Sequence, residues 1–177
     1  GGNGDDTIDG GTEDDWINAE DGNDSILGGD GNDWAAGMTG VDTFYGGVGN
    51  DTVYGGPGAD VLYGEDGNDL FWAGMGNDTI DGGIGNDTMV GEVDDDSILG
   101  GDGDDLIAGS VGADIIRGQA GIDVLYGNAD NDSMYGGAGI DSVDGGDGDD
   151  LVYGDDPATL AVGDRDKVIG GAGNDIL

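Results

Sequence analysis

An apolar residue returns at every ninth place along this chain, from Ile8, Ile17, Ile26, Ala35, Phe44 and Val53 through to Val152. A period of nine fits neither the 3.6 of a helix nor the alternation of a long strand. It marks a repeat. Cut into nines, the chain reads GGNGDDTID, GGTEDDWIN, AEDGNDSIL, GGDGNDWAA and so on to GGDGDDLVY, ending at Tyr153. These are 17 consecutive nonapeptides without a slip, with Asp at position six and an apolar residue at position eight in every one. Every glycine except Gly163 falls at position one, two or four. Self-similarity at a fixed short period is the signature of a solenoid.

One unit can be read residue by residue. Glycines at one, two and four allow positive φ and close backbone approach, so positions one to six are expected to make a tight open loop. Asn and Asp, frequent at position five (Asn23, Asn32, Asn50, Asn68), tolerate left-handed geometry best among the remaining residues. Positions seven to nine suffice for a three-residue strand, with eight inward and its neighbours outward. So short a strand is unstable alone, and successive rungs must stack.

Composition changes the picture at one point. The chain of 177 residues holds 44 glycines, 41 acidic residues, three basic ones (Arg117, Arg165, Lys167), no histidine and no cysteine, for a net charge of -38. Such a balance ordinarily means disorder, because self-repulsion and backbone entropy outweigh apolar burial. Three cations cannot neutralise the acid, and divalent metal is the economical counterion. Nucleic acid and anionic membrane surfaces would be repelled. No apolar run approaches the ~20 residues that span a bilayer, so no membrane insertion is expected. Without cysteine there is neither a disulfide framework nor a thiolate metal site.

The register stumbles once. Residues 154–169 span sixteen places, one repeat plus seven extra, and Asp166 and Val168 restore the phase. A truncated unit, GGAGNDIL, fills 170–177. The expected organisation is therefore an uninterrupted array over 1–153, an interrupted repeat with a surface loop over 154–169, and a partial last repeat of the same array. Residues 155–163 should bulge from it, because stacking on both sides enforces the nine-residue period. The competing expectation is that the array ends at Tyr153 and the remainder forms an irregular cap. Gly1 opens and Leu177 closes in mid-pattern, so the chain reads as a piece of something longer.

The unit GGxGxDxUx, with U a large apolar residue, resembles the repeats-in-toxin family of secreted bacterial toxins, proteases, lipases and adhesins, and the resemblance covers essentially the whole chain. It implies an all-β fold, a right-handed parallel β-roll with two nonapeptides per coil and two short-stranded parallel sheets. Odd repeats would stack on one side and even repeats on the other, with ions between successive loops of a stack. The ligands it implies are loop carbonyls from positions one to four and the position-six carboxylates. These carry over to Asp6, Asp15, Asp24, Asp33, Asp42, Asp51, Asp60, Asp69, Asp78, Asp87, Asp96, Asp105, Asp114, Asp123, Asp132, Asp141, Asp150, Asp166 and Asp175. Nineteen loops divide into stacks of ten and nine, with nine and eight gaps. Up to about 17 Ca²⁺ would then bring the formal charge close to neutral. Calcium suits such loops because it accepts six to eight hard oxygens in forgiving geometry, whereas Mg²⁺ demands a tighter octahedron.

Position four is acidic rather than glycine at Glu13, Asp94 and Asp130. Either these supply extra carboxylate ligands or they are solvated side chains on a locally strained backbone. All six tyrosines and Trp72 occupy position nine, while Trp16 and Trp34 occupy position seven. These rings should decorate the exterior, with Trp16 and Trp34 on adjacent rungs, either stacking to shield the sheet or docking a partner. The NDS and NDT triplets at Asn23, Asn50, Asn77, Asn86 and Asn131 follow from the repeat and are not read as glycosylation sites. The twelve-residue spacing of an EF-hand is missing.

The function that follows is a calcium-binding structural repeat module of a secreted bacterial protein, unfolded in low calcium and folding outside the cell. The resemblance implies type I secretion and an extracellular or cell-surface location. The alternative is an adhesin, surface-layer or filament segment that self-associates end to end or through its outer aromatic face. Catalysis is not expected: there is no histidine, cysteine or nucleophile elbow, and a nine-residue period assigns the carboxylates to metal.

Overall fold

The computed structural model describes residues 1–155 and 165–177. It is an all-β parallel solenoid, the β-roll expected, and no helix occurs among those residues. After a two-residue β1 (Gly2–Asn3), six-residue strands follow from β2 (Thr7–Thr12) and β3 (Trp16–Asp21) onward, with one three-residue exception, β18 (Leu151–Tyr153). The later strands named below are β5 (Trp34–Thr39), β7 (Thr52–Pro57), β9 (Leu70–Met75), β11 (Thr88–Val93), β13 (Leu106–Val111), β15 (Val124–Ala129), β17 (Ser142–Asp147), β18 (Leu151–Tyr153) and β19 (Lys167–Ala172). Odd-numbered strands form a ten-stranded sheet and even-numbered strands a nine-stranded one, every neighbour pair parallel.

The register advances by eighteen residues per rung, as in Ile80 opposite Leu62 on one side and Ile98 on the other. Position eight thus meets position eight throughout. Ile80, Ile98, Ile107, Ile116 and Phe71 are fully buried, and the column forms one continuous core between the sheets. A lone six-residue strand could not persist, but each interior rung here is laddered to a neighbour along both edges.

The strands are twice as long as the three residues read from the sequence, because positions one to three continue them. Position one is extended and points inward beside position eight; Ala19 and Ala73, which occupy it, are fully buried. The turn therefore uses only positions four to six. Left-handed φ is confined to positions two and four, where glycine or a strained substitute bends the chain. Glu13 carries the most extreme value among the non-glycine residues, 101°, with Asp94 at 82° and Asp130 at 79°. Position five is not left-handed, so Asn and Asp are there for another reason, given below.

Positions seven and nine face outward and the rings stack along the solenoid axis. Trp16 and Trp34 lie 3.9 Å apart and nearly parallel, Tyr54 and Trp72 4.7 Å, Tyr45 and Tyr63 5.1 Å. The row at Trp34 and Tyr54 is linked by a tilted contact of 5.6 Å. Most of these rings stack one face on a neighbour along the axis and stay partly exposed, Trp16 most of all at 74%.

The seven-residue expansion falls mostly on 156–164, outside the described residues, as does most of the expected bulge over 155–163. Beyond it, Lys167–Ala172 pairs with β17, setting Val168 opposite Val143 and against the core. Ile176 then bridges to Leu151 on the other sheet. Both pairings keep the phase of the array with a separation of 25 rather than 18.

Candidate metal centre

Position six closes each turn immediately before a strand begins. Its carbonyl accepts the amide of position seven one rung later, as Ser25 to Asp6 at 2.9 Å and Thr79 to Asp60 at 2.9 Å. The backbone is thereby fixed on both sides, and the carboxylate is turned inward under the loops. Asp24 through Asp150, one every nine residues, are each no more than 2% exposed. Asp6, Asp15, Asp166 and Asp175, at the two ends, are half-buried.

The carboxylates are linked in two rows. In each, the backbone amide of one aspartate donates to Oδ1 of the aspartate one rung on, Asp60 to Asp78 at 2.7 Å and Asp69 to Asp87 at 2.8 Å. One row runs Asp6, Asp24, Asp42 and onward through Asp150 to Asp175; the other runs from Asp15 through Asp141 to Asp166. All nineteen predicted residues are members. The last links, across the expansion, are the longest at 3.0 and 3.2 Å.

Oδ1 is satisfied, but Oδ2 is not. From Asp15 through Asp132, and again at Asp150, this oxygen is buried without a hydrogen-bond partner. Burying a carboxylate oxygen with nothing to neutralise it costs several kcal/mol. From Asp42 through Asp132, and at Asp150, desolvation is accordingly the largest influence, opposed by the amide bond to Oδ1 and reinforced by neighbouring carboxylates. It pushes Asp60, Asp69, Asp96, Asp105 and Asp132 up to about 7, and Asp51, Asp78 and Asp123 up to about 6.

Main-chain oxygens share the space. A Cβ placed on Gly10 would lie 2.6 Å from the carbonyl oxygen of Gly28 and 2.8 Å from Oδ2 of Asp15. Carboxylate and carbonyl thus converge on one spot that only the absence of a side chain leaves open. Among the described residues no three acidic side chains come together as a metal-holding group. A cation here would be held by position-six carboxylates and carbonyls, all hard oxygens, a donor set that fits calcium. Of the acidic residues at position four, Asp94 lies near enough to Asp78 and Asp96, and Asp130 to Asp114 and Asp132, to raise those carboxyls by repulsion.

Sequence reasoning missed a second ladder. At position five, Oδ1 accepts the position-five amide of the following rung: Asp14 to Asn32, Asn32 to Asn50, Asn50 to Asn68 and Asn68 to Asn86, all between 2.6 and 2.9 Å. It runs along the exposed rim and in the opposite sense to the position-six rows. Side-chain acceptors recurring every eighteen residues were its only trace in the sequence.

Stacked loops with paired buried carboxylates and convergent carbonyls define a repeat protein of the metal-binding β-roll class. The chain belongs to the RTX calcium-binding nonapeptide repeat family, whose four-copy profile matches at residues 1–35, 27–62, 36–71, 54–89, 81–116, 90–125, 108–143, 126–156 and 162–177. No curated protein matches the chain. Among the described residues no helix is long and apolar enough to cross a membrane.

The raised carboxyls make the metal-free roll pH-dependent. A group whose folded value lies above its unfolded one favours folding fully below the unfolded value, about 4, and loses that contribution as pH rises through the folded value. In chelator, β-structure should therefore grow as pH falls from about 8 towards 4, with most of the change around pH 6–7. In calcium, protons compete, so the calcium needed to fold should increase over the same descent. Circular dichroism at a series of pH values, with and without calcium, reads both; a metal-free chain most structured at high pH would contradict the assignment.

Proposed function

We propose that this chain is a calcium-dependent structural module of a secreted bacterial protein, disordered in low calcium and folding where calcium is millimolar outside the cell. The ligands in this reading are the position-six aspartates from Asp6 to Asp150, with Asp166 and Asp175, and up to about 17 ions fill the gaps between loops. The observation that carries it is the series of buried Oδ2 atoms without a partner. Each belongs to a site made only when two rungs stack, so binding and folding are one event. An unfolded chain of net charge -38 suits threading through a type I exporter, and the folded roll supplies structure, not chemistry.

Far-ultraviolet circular dichroism tests this. In chelator at neutral pH the spectrum should be that of an unfolded chain, and calcium should convert it cooperatively to β. Equal β content in both conditions would sink the proposal.

One observation favours a second reading, an adhesin, surface-layer or filament segment that assembles with further copies of itself. Over six consecutive rungs of the ten-stranded sheet, β5 to β15, positions seven, nine and three carry no charged residue. Met75, Val93 and Val111 on this face are 56, 42 and 50% exposed. The outer face of the other sheet carries Asp9, Asp30, Asp66, Asp81, Asp102 and Arg117 at the same positions. Apolar surface of this extent on so acidic a molecule, interrupted at position two by the exposed Glu92, is the usual mark of an interface. Sedimentation of the calcium-loaded chain should show dimers or longer assemblies that Val93→Glu dissolves without altering the calcium response; a monomer at every concentration would remove this reading.

A further inference from the structure

The two rows of loops are not equivalent, and the difference lies at position one. In the row from Asp15 to Asp166 every repeat has glycine there. In the row from Asp6 to Asp175 two repeats have alanine instead, Ala19 with Asp24 and Ala73 with Asp78. Both alanines are fully buried, with the methyl group inside the roll.

Glycine neighbours show where that methyl goes. A Cβ on Gly28 would stand 2.5 Å from Oδ2 of Asp33 and 2.6 Å from the carbonyl oxygen of Gly46. A Cβ on Gly55 would stand 2.5 Å from the carbonyl of Ala73 and 2.6 Å from Oδ2 of Asp60. Both oxygens are approached well inside the ~3.4 Å of ordinary contact between a carbon and its neighbours. They are also the two kinds of oxygen that converge on the open spot: the orphaned carboxylate oxygen and a main-chain carbonyl. At Ala19 and Ala73 a methyl group fills this place, and one or both oxygens must give way.

We infer that the loops of Ala19 and Ala73 are the two weak calcium positions of the array, and that they lie on one edge only. The inference rests on the calcium reading above. Calcium tolerates irregular geometry, so these gaps bind more weakly and are not abolished. The glycine loops of both rows fill as the roll folds, and the two alanine loops fill at higher calcium. The spacing of the two sites divides that edge into segments, with Ala73 near its middle.

The double variant Ala19→Gly, Ala73→Gly separates this from a packing role. With free calcium buffered just above the folding transition of the natural chain, where ordinary sites are filled, equilibrium dialysis should find up to about two more ions held per chain, and the folding midpoint should move to lower calcium. Gly28→Ala together with Gly82→Ala, in the other row, should move both readouts the opposite way. If the alanines serve only to fill the core, the glycine variant loses buried methyl groups and gains backbone freedom, which destabilises a strand. An unchanged ion count, or a midpoint shifted to higher calcium, would overturn the inference. The natural chain, measured in parallel, tests the calcium reading itself: failure to bind or fold with calcium would refute that reading and not merely the ranking of its sites.

Discussion

Two rows of carboxylates, most of them buried with Oδ1 bonded and, from Asp15 through Asp132 and at Asp150, Oδ2 bare, set the terms for the rest of this roll. Charges one rung apart, about 5 Å, repel by about 3 kcal/mol at an effective dielectric of about 20. A row of ten has nine such neighbours, and the sum exceeds the 5–15 kcal/mol by which ordinary domains are stable. Hydrogen bonding cannot remove it, because the amide of each preceding rung reaches Oδ1 alone. The fold is consistent with itself only when positive charge, a proton or a cation, lies against Oδ2.

That constraint explains why so repetitive a sequence is kept so strict. Position six cannot vary because it supplies both a ladder acceptor and the charge that must be met. Position one is kept small because a carboxylate and a carbonyl press on the space a side chain would take. Position eight is free to be Ile, Val, Leu, Phe, Met or even Ala, since it need only fill the volume between the sheets. The outer positions are freer still, which is where stacked rings on one stretch and charges on another have been placed.

Much of this was legible in the chain. A period of nine with an invariant Asp and a recurrent apolar residue leads to stacked rungs, the resemblance of the unit to the repeats-in-toxin family added two sheets and carboxylates between the loops, and the 25-residue pairings of Val168 with Val143 and of Asp166 with Asp141 follow the phase marked by those residues. What could not be read was where the strand stops. Glycine at positions one and two looks like loop in one dimension, but in the roll position one is extended and its smallness is a packing requirement of the interior. Likewise, Asn at position five suggested tolerance of left-handed backbone, whereas its role is a side-chain bond to the next rung, a partner eighteen residues away. Both errors came from explaining a residue by its own conformation when a neighbour in the stack decides it.

The central claim concerns the bare oxygens, and locating the ions tests it most directly. Crystals of the calcium-loaded chain, with anomalous scattering collected to place calcium, should show two rows of ions along the edges of the roll, each beside Oδ2 of a position-six aspartate and within reach of loop carbonyls. Ions confined to the exposed acidic rim, with Oδ2 still bare or protonated in the interior, would contradict the account.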